Sequence, residues 1–312
     1  MEQQVDLSVE IAGVTFSNPV IAASGTFGYG KEYAGMLDIG ALGGICTKGL
    51  TLRPRQGNEG ARIYETPAGL LNSIGLENPG IPAFIENELP GLKALGPNVI
   101  ANLSGSTAAE YAEGAALLAE AGVDMIEVNI SCPNVKAGGL AFGMDCESAA
   151  LVTRSVRKAA PAVPLMVKLS PNAPDLCGIA LACVNAGADA LSLVNTFKAM
   201  AIDIDTLKPV FENIHAGLSG PCIHPIALRM VWEVYEALGR GSLPRVPLVG
   251  IGGIANARDA IEFLAAGAAA VEIGAATFAH PRAMTEVIAG IAAYLKEKNF
   301  STVPDLTAHC RT

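Results

Sequence analysis

The sequence predicts an α/β protein, a (β/α)8 TIM barrel, and three observations carry that prediction. Eight short apolar runs recur along the 312 residues, and amphipathic segments long enough for a crossover helix separate most of them. Helical stretches hand over to the next run through a glycine in the same way three times: Ala121-Gly122-Val123-Asp124 before MIEVN, Ala186-Gly187-Ala188-Asp189 before ALSLVN, and Ala266-Gly267-Ala268-Ala269 before AVEIG. Glycine supplies a left-handed C-cap, and the run that follows is apolar on both faces, as a strand buried in a parallel sheet must be.

Taken in chain order, Leu7–Ile11 and Val14–Phe16 around Gly13 read as a short hairpin plugging the barrel bottom. The expected strands are Pro19–Ala23, Gly44–Thr47, Val99–Leu103, Met125–Asn129, Leu165–Leu169, Ala190–Val194, Pro247–Gly250 and Ala270–Gly274. Crossover helices are expected over 107–121, 146–159, 174–186, 225–239 and 256–266, with a last one at 281–298. Eight right-handed βαβ units imply closure into a barrel; an open doubly wound sheet is the alternative. Segment 197–218 is too long for a simple loop and is expected to carry inserted strands over the C-terminal face. No linker, repeat array or low-complexity tract interrupts the chain, so residues 1–312 are expected to form a single domain.

Composition excludes several classes. With 51% hydrophobic and 16% charged residues the chain can bury a large core and is not disordered. The most apolar stretch, 260–279, carries Glu262, Gly267 and Glu272, so no spanning helix is expected. The start, MEQQVDLSVE, is acidic where a secretory signal is basic. Seven cysteines without a CxxC suggest neither a disulfide framework nor a structural zinc site, and together these features point to the cytoplasm. A net charge of −9 without a basic run argues against nucleic acid as the main partner.

In a parallel barrel the chemistry sits at the C-terminal ends of the strands. There the sequence places Ser24-Gly25-Thr26, Lys48-Gly49, Asn102 and Ser104, then Asn129, Ser131, Cys132 and Asn134, then Lys168, Ser170 and Asn172, then Asn195 and Thr196, and finally Gly252-Gly253 and Gly274-Ala275. One such residue is an ordinary loop or turn residue; a ring of them marks a polar cavity. The glycine pairs after the last two strands form a backbone nest for a phosphate, although Gly250-Ile251-Gly252-Gly253 lacks the spacing of a dinucleotide fingerprint. A strand-end lysine, Lys168 or Lys48, could stabilise a reduced flavin or form a Schiff base. Cys132 leaves a strand end before Pro133, in a glycine-rich loop, and is poorly placed as core filler; such a thiol can act as nucleophile or general base. The four histidines show no metal or triad spacing.

These residues resemble a known family. NISCPNVKAGGLAFGMD, from Asn129 to Asp145, resembles the active-site segment of class 1 dihydroorotate dehydrogenases, and so does TKGLTLRPRQGNEGARIYETPAGLLNSIGLENPG, from Thr47 to Gly80. The resemblance continues in family order through SNPVIAASGTFGYG, VKLSPN, SLVNT, GLSGP, VGIGGI and EIGAATF. Asn134-Val135-Lys136 followed by AGGLAFG is similar to the NAD-linked, two-subunit subclass. Met144-Asp145-Cys146 departs from the Thr-Asp-Pro-like sequence expected there.

The resemblance implies flavin-dependent oxidation of dihydroorotate to orotate in pyrimidine biosynthesis. It places Ser24, Lys48, Gly49, Asn102, Asn129, Lys168, Val194, Gly220, Gly252, Gly253, Gly274 and Ala275 at FMN. Lys48, Asn72, Ser73, Ile74, Gly75, Leu76, Asn129, Asn134, Asn195 and Thr196 fall where dihydroorotate is held, and Cys132 falls at the catalytic base that takes the C5 proton while the C6 hydride goes to FMN. It further implies a homodimer core within a heterotetramer, whose second subunit carries FAD and a [2Fe–2S] cluster and passes electrons to NAD+. A phosphosugar isomerase or Schiff-base aldolase would share the glycine corner and a lysine but leaves the asparagines and Cys132 without a use. A non-catalytic scaffold would leave the polar ring without one. A pyrimidine-base dehydrogenase is the nearest flavin alternative, and Lys48 with the 66–78 loop favours a carboxylated substrate instead.

Overall fold

The structure, a computed structural model, describes residues 5–131, 142–240 and 245–310. Eight parallel strands close into a barrel: β1 (Val20–Ala22), β2 (Gly44–Cys46), β3 (Asn98–Leu103), β4 (Met125–Asn129), β5 (Leu165–Lys168), β6 (Ala190–Leu193), β7 (Leu248–Ile251) and β8 (Ala270–Ile273). Each pairs with its sequence neighbours, and β8 returns to β1 with Val271 opposite Val20. The expected (β/α)8 barrel is therefore present. The strands are apolar on both faces because one face fills the barrel and the other meets the helices; every residue of β1, β2, β4, β5, β6 and β8 is buried.

The sequence sets the helix boundaries through caps. Thr107 accepts from the Glu110 N–H to open Ala108–Glu120, Asp175 accepts from Gly178 to open Leu176–Asn185, and Asn256 and Asp259 form a reciprocal capping box at Ala257–Ala265. Asp145, in the segment that departs from the family pattern, opens Cys146–Ala159 by accepting from the Ser148 N–H. That bond holds the Asp145 carboxyl below its ordinary value, so the departure still builds a helix start. Glycines 122, 187 and 267 follow three helices at φ of 71°, 104° and 116°, as the three handovers require. Helices Ile81–Asn87 and Leu89–Ala94 lie outside the expected crossover ranges and fill the crossover before β3, and a helix at Pro304–Cys310 follows the last expected one.

At the N-terminal end of the barrel, the hairpin Val9–Ile11 with Val14–Phe16 lies against the strand starts. The Phe16 ring packs where Gly44 has no side chain, and Asn98 donates to the Thr15 carbonyl at 2.8 Å. The opposite end carries the insertion. Phe197–Ala199 and Ala216–Ser219 pair antiparallel, as the length of 197–218 implied. The sheet then continues into Gly69–Asn72 and Ile63–Thr66, a hairpin whose second strand falls within the 66–78 segment expected as a loop. A separate ribbon pairs Ile202–Asp203 with Lys208–Pro209. Among the described residues, no helix is long and apolar enough to cross a membrane.

Candidate active site

The C-terminal ends of the barrel strands open into a cavity of about 440 Å³, within the range of small-molecule sites. Its walls come from seven of the eight strand ends: Ser24 after β1, Lys48 and Gly49 after β2, Asn129 closing β4, Lys168 closing β5, Val194, Asn195 and Thr196 after β6, Gly252 and Gly253 after β7, and Gly274 and Ala275 after β8. The inserted sheet roofs it with Asn72, and the turn beyond adds Ile74, Gly75 and Leu76; Gly220 follows the neighbouring strand. Residues distant in sequence thus meet within one space, because closure of the barrel gathers every strand end at the same rim.

Two described residues that the resemblance assigns to cofactor or substrate are not among these walls. Asn102 is fully buried and donates through Nδ2 to Glu127, with its Oδ1 3.5 Å from Asn129 Nδ2, so it braces Asn129 from behind. Ser73 is buried, its hydroxyl accepting from Asn58 Nδ2 at 3.1 Å. Cys132 and Asn134 lie outside the described residues.

The amides are held in fixed orientations. Asn195 Nδ2 donates to Asn129 Oδ1 at 3.2 Å, which also accepts from the Ser131 N–H. The Asn129 carbonyl accepts the buried Tyr111 hydroxyl at 2.7 Å. Asn72 donates to the Gly217 carbonyl at 3.2 Å and so ties the roof strands together. Asn172, outside the cavity, donates to the Thr196 carbonyl and accepts from the Lys198 N–H, clamping the 196–198 crossing. Lys48 Nζ stands 3.9 Å from Glu77, whose carboxylate is paired more closely with Arg62 at 2.6 Å.

The glycine corner is bare backbone for a steric reason. Gly253 has φ of +68°, and a Cβ there would lie 2.7 Å from the Gly220 carbonyl oxygen and 2.8 Å from the His224 nitrogen. Gly252, at φ of +143°, packs its Cα against Ala227. Side chains are excluded at both positions, which leaves main-chain amides to face whatever approaches.

Beneath the cavity the barrel interior holds polar residues where branched apolar ones are usual. Lys168 Nζ lies 3.1 Å from Glu272 and 3.3 Å from Glu127, with both carboxyl groups fully buried. Glu127 also accepts from Ser192 at 2.6 Å, from Cys46 at 3.1 Å and from Asn102. Burial alone would raise the Glu127 carboxyl, but the Lys168 ammonium and the Ser192 hydroxyl outweigh it and hold Glu127 below the usual carboxylate range. Glu272 has Lys168 as donor and a second oxygen, Oε1, that is buried without a hydrogen-bond partner. Burial and the neighbouring Glu127 charge push Glu272 up to about 8. Desolvation opposes charge on Lys168, yet the two carboxyls raise it above the ordinary lysine value, and burial keeps the Cys46 thiol protonated. Cys46, Glu127 and Glu272 bring ligand-type atoms within 4.8 Å of one another, but the Lys168 ammonium already supplies their positive charge.

Glu127, Ser192 and Glu272 were not singled out as functional from the sequence. The signal was present, since MIEVN and AVEIG each carry a glutamate inside a run that is otherwise core, and such a charge needs a buried partner.

Comparison with known proteins places this geometry in a family. The sequence profile described as "Dihydroorotate dehydrogenase" matches residues 6–295. Among curated relatives, a protein of Petrotoga mobilis is 56% identical over 302 residues, covering 97% of this chain and 98% of its own. One of Geotalea daltonii is 53% identical, covering 96% and 97%, and one of Caldicellulosiruptor saccharolyticus is 50% identical, covering 98% and 99%. All three bear the name "Dihydroorotate dehydrogenase B (NAD(+)), catalytic subunit". A profile match across nearly the whole barrel, with relatives at half identity or better over full length, shows that this chain belongs to the dihydroorotate dehydrogenase family.

Proposed function

We propose that this protein is the catalytic subunit of an NAD+-linked dihydroorotate dehydrogenase of pyrimidine biosynthesis, converting dihydroorotate to orotate with FMN as its resident cofactor. The observation that carries the reading is the cavity itself, where a side-chain-free glycine corner, a buried lysine and a set of fixed amides face one space, in a member of this family.

The residues present suit FMN. The main-chain corner at Gly252, Gly253, Gly274 and Ala275 offers N–H groups to a phosphate, Ser24, Gly49, Val194 and Gly220 line the adjoining walls, and Lys168 presents a fixed cation to the cavity floor. Bound there, FMN would supply the two-electron acceptor that oxidation of a ring C–H bond requires. The remaining work falls to the chain. Asn72, Asn129, Asn195 and Thr196 offer both donors and acceptors, as the imide edges of a dihydropyrimidine demand. Lys48 faces the same space and anchors the substrate carboxylate, with Ile74, Gly75 and Leu76 forming the apolar and backbone edge beside it. Cys132 takes the proton from C5, and Asn134 is assigned to the substrate.

The name of the relatives, "catalytic subunit", supports a partner chain. We assign to it FAD and a [2Fe–2S] cluster that deliver the electrons to NAD+, around a homodimer of this chain in a heterotetramer. The absence of a long apolar helix among the described residues suits a cytoplasmic enzyme.

Anaerobic titration of the purified protein tests the reading. The protein should carry flavin absorbance and be bleached by dihydroorotate but not by dihydrouracil. Addition of NAD+ should restore the colour only when the second subunit is supplied. Protein that neither holds nor takes up FMN, or that is bleached equally by dihydrouracil, refutes it.

A further inference from the structure

The barrel layer beneath the cavity contains one cation between two carboxyl groups, and the two carboxyls are unequal. Glu127 has four side-chain donors shared between its oxygens: Ser192, Cys46, Asn102 and Lys168. Glu272 has Lys168 on Oε2, while Oε1 is buried, unpartnered and on a residue that lines the cavity. An ionised carboxylate needs its lone pairs satisfied when water is excluded, so the negative charge belongs on Glu127 and the proton on Glu272. The charged and titratable groups facing Glu272 are Glu127 from β4, Lys168 from β5 and the Cys46 thiol from β2. With Glu272 protonated the layer is neutral; with Glu272 ionised it carries one net negative charge.

We propose that Glu272 is a positioning residue acting through Lys168: its proton keeps the layer neutral under the cavity, and whether that proton is present sets the electron affinity of the flavin bound above. The inference rests on the flavin reading given above. A substrate hydride brings two electrons and one proton to the flavin. When Glu272 begins as the acid, nothing further is taken up and the full attraction of Lys168 is available to the added charge. When Glu272 begins as the carboxylate, the added charge draws one proton from solvent onto it, forming the carboxyl O–H bond, and the site takes up two electrons and two protons in all. Each unit of pH then changes the reduction equilibrium tenfold more than it otherwise would, or about 30 mV for a two-electron couple.

The experiment is the flavin midpoint potential of the purified holoprotein from pH 6 to 10, in wild type and in Glu272→Gln, which is neutral at every pH. The wild-type potential should begin to fall more steeply near pH 8, where Glu272 titrates. The variant should lack that extra slope, so the two lines separate by about 30 mV per pH unit beyond the break. Lines that stay parallel overturn the inference while leaving the flavin reading intact. Protein of normal fold that binds no flavin at all refutes that reading and this inference with it. Should the variant not retain flavin, the redox-induced infrared difference spectrum of the wild type decides. A protonated-carboxyl band gained on reduction at pH 9 but not at pH 6.5 supports the role, and no gain at pH 9 overturns it.

Discussion

Replacing Lys168 with methionine keeps an unbranched side chain, one atom shorter, and removes the charge from between two fully buried carboxyl groups. Breaking a buried pair by deleting one partner costs about 3–5 kcal/mol, because the remaining charge is uncompensated. For 312 residues, an unfolding entropy of about 2.1 cal/mol/K per residue gives roughly 1.5 °C of melting temperature per kcal/mol, so the variant should melt about 5–8 °C below wild type at pH 8. The deficit should depend on pH, and its sign follows from linkage. In wild type, Lys168 helps hold Glu127 below its unfolded value. Without Lys168 the Glu127 carboxyl rises above it, so the folded variant binds a proton the unfolded chain has lost, and its stability falls as pH climbs from the ordinary carboxylate value. The gap to wild type should therefore be narrow near pH 5 and widest near pH 8, and adding Glu127→Gln should recover much of it. Thermal unfolding of flavin-free protein at several pH values, supported by urea titration, is the assay. A deficit that ignores pH, or one below about 1 kcal/mol at pH 8, would show that the ion cluster does not hold this layer together.

Three further expectations concern the site. Cys132→Ala should leave flavin bound and slow its reduction by dihydroorotate about 10²–10⁴-fold, as loss of a general base does; an unchanged rate in anaerobic stopped flow removes Cys132 from the reaction. Gly253→Ala forces a Cβ against the Gly220 carbonyl at a positive φ, so it should destabilise the fold by about 1–3 kcal/mol and weaken flavin retention. Flavin fluorescence released on dilution measures the second effect, and wild-type retention would refute the steric account of that corner. Tyr111→Phe removes the 2.7 Å hydroxyl bond to the Asn129 carbonyl and should cost about 1 kcal/mol in urea unfolding, with a rise in substrate KM if that bond orients the Asn129 amide.

The barrel was legible because its signals are local: a glycine-ended helix, a short doubly apolar run and a polar residue at the run's end repeat in register along the chain. The roof was only half legible. Segment 197–218 announced itself by length, but Ile63–Thr66 and Gly69–Asn72 are short, the first is largely exposed, and they turn at Pro67-Ala68 without the glycine–asparagine chemistry of a tight hairpin. What anchors the hairpin in the sheet is the pairing of Gly69–Asn72 with Ala216–Ser219, a contact between distant segments that no local window contains. The site followed the same division. Strand-end residues could be placed from order alone, whereas Asn102 and Ser73 differ from their wall-forming neighbours by which way each side chain turns. The pairing of Lys168 with Glu272, which reaches from β5 to the non-adjacent β8, needed the barrel closed before either partner could be identified.

The cavity roof is woven from two stretches of chain, 63–72 and 197–219, that join edge to edge where Asn72 meets Gly217. A graft of either stretch from a homologue of different specificity would arrive without its matching selvedge. Retargeting this scaffold to another ring therefore calls for exchanging both pieces at once, and natural divergence in what it accepts should have left correlated changes in the two.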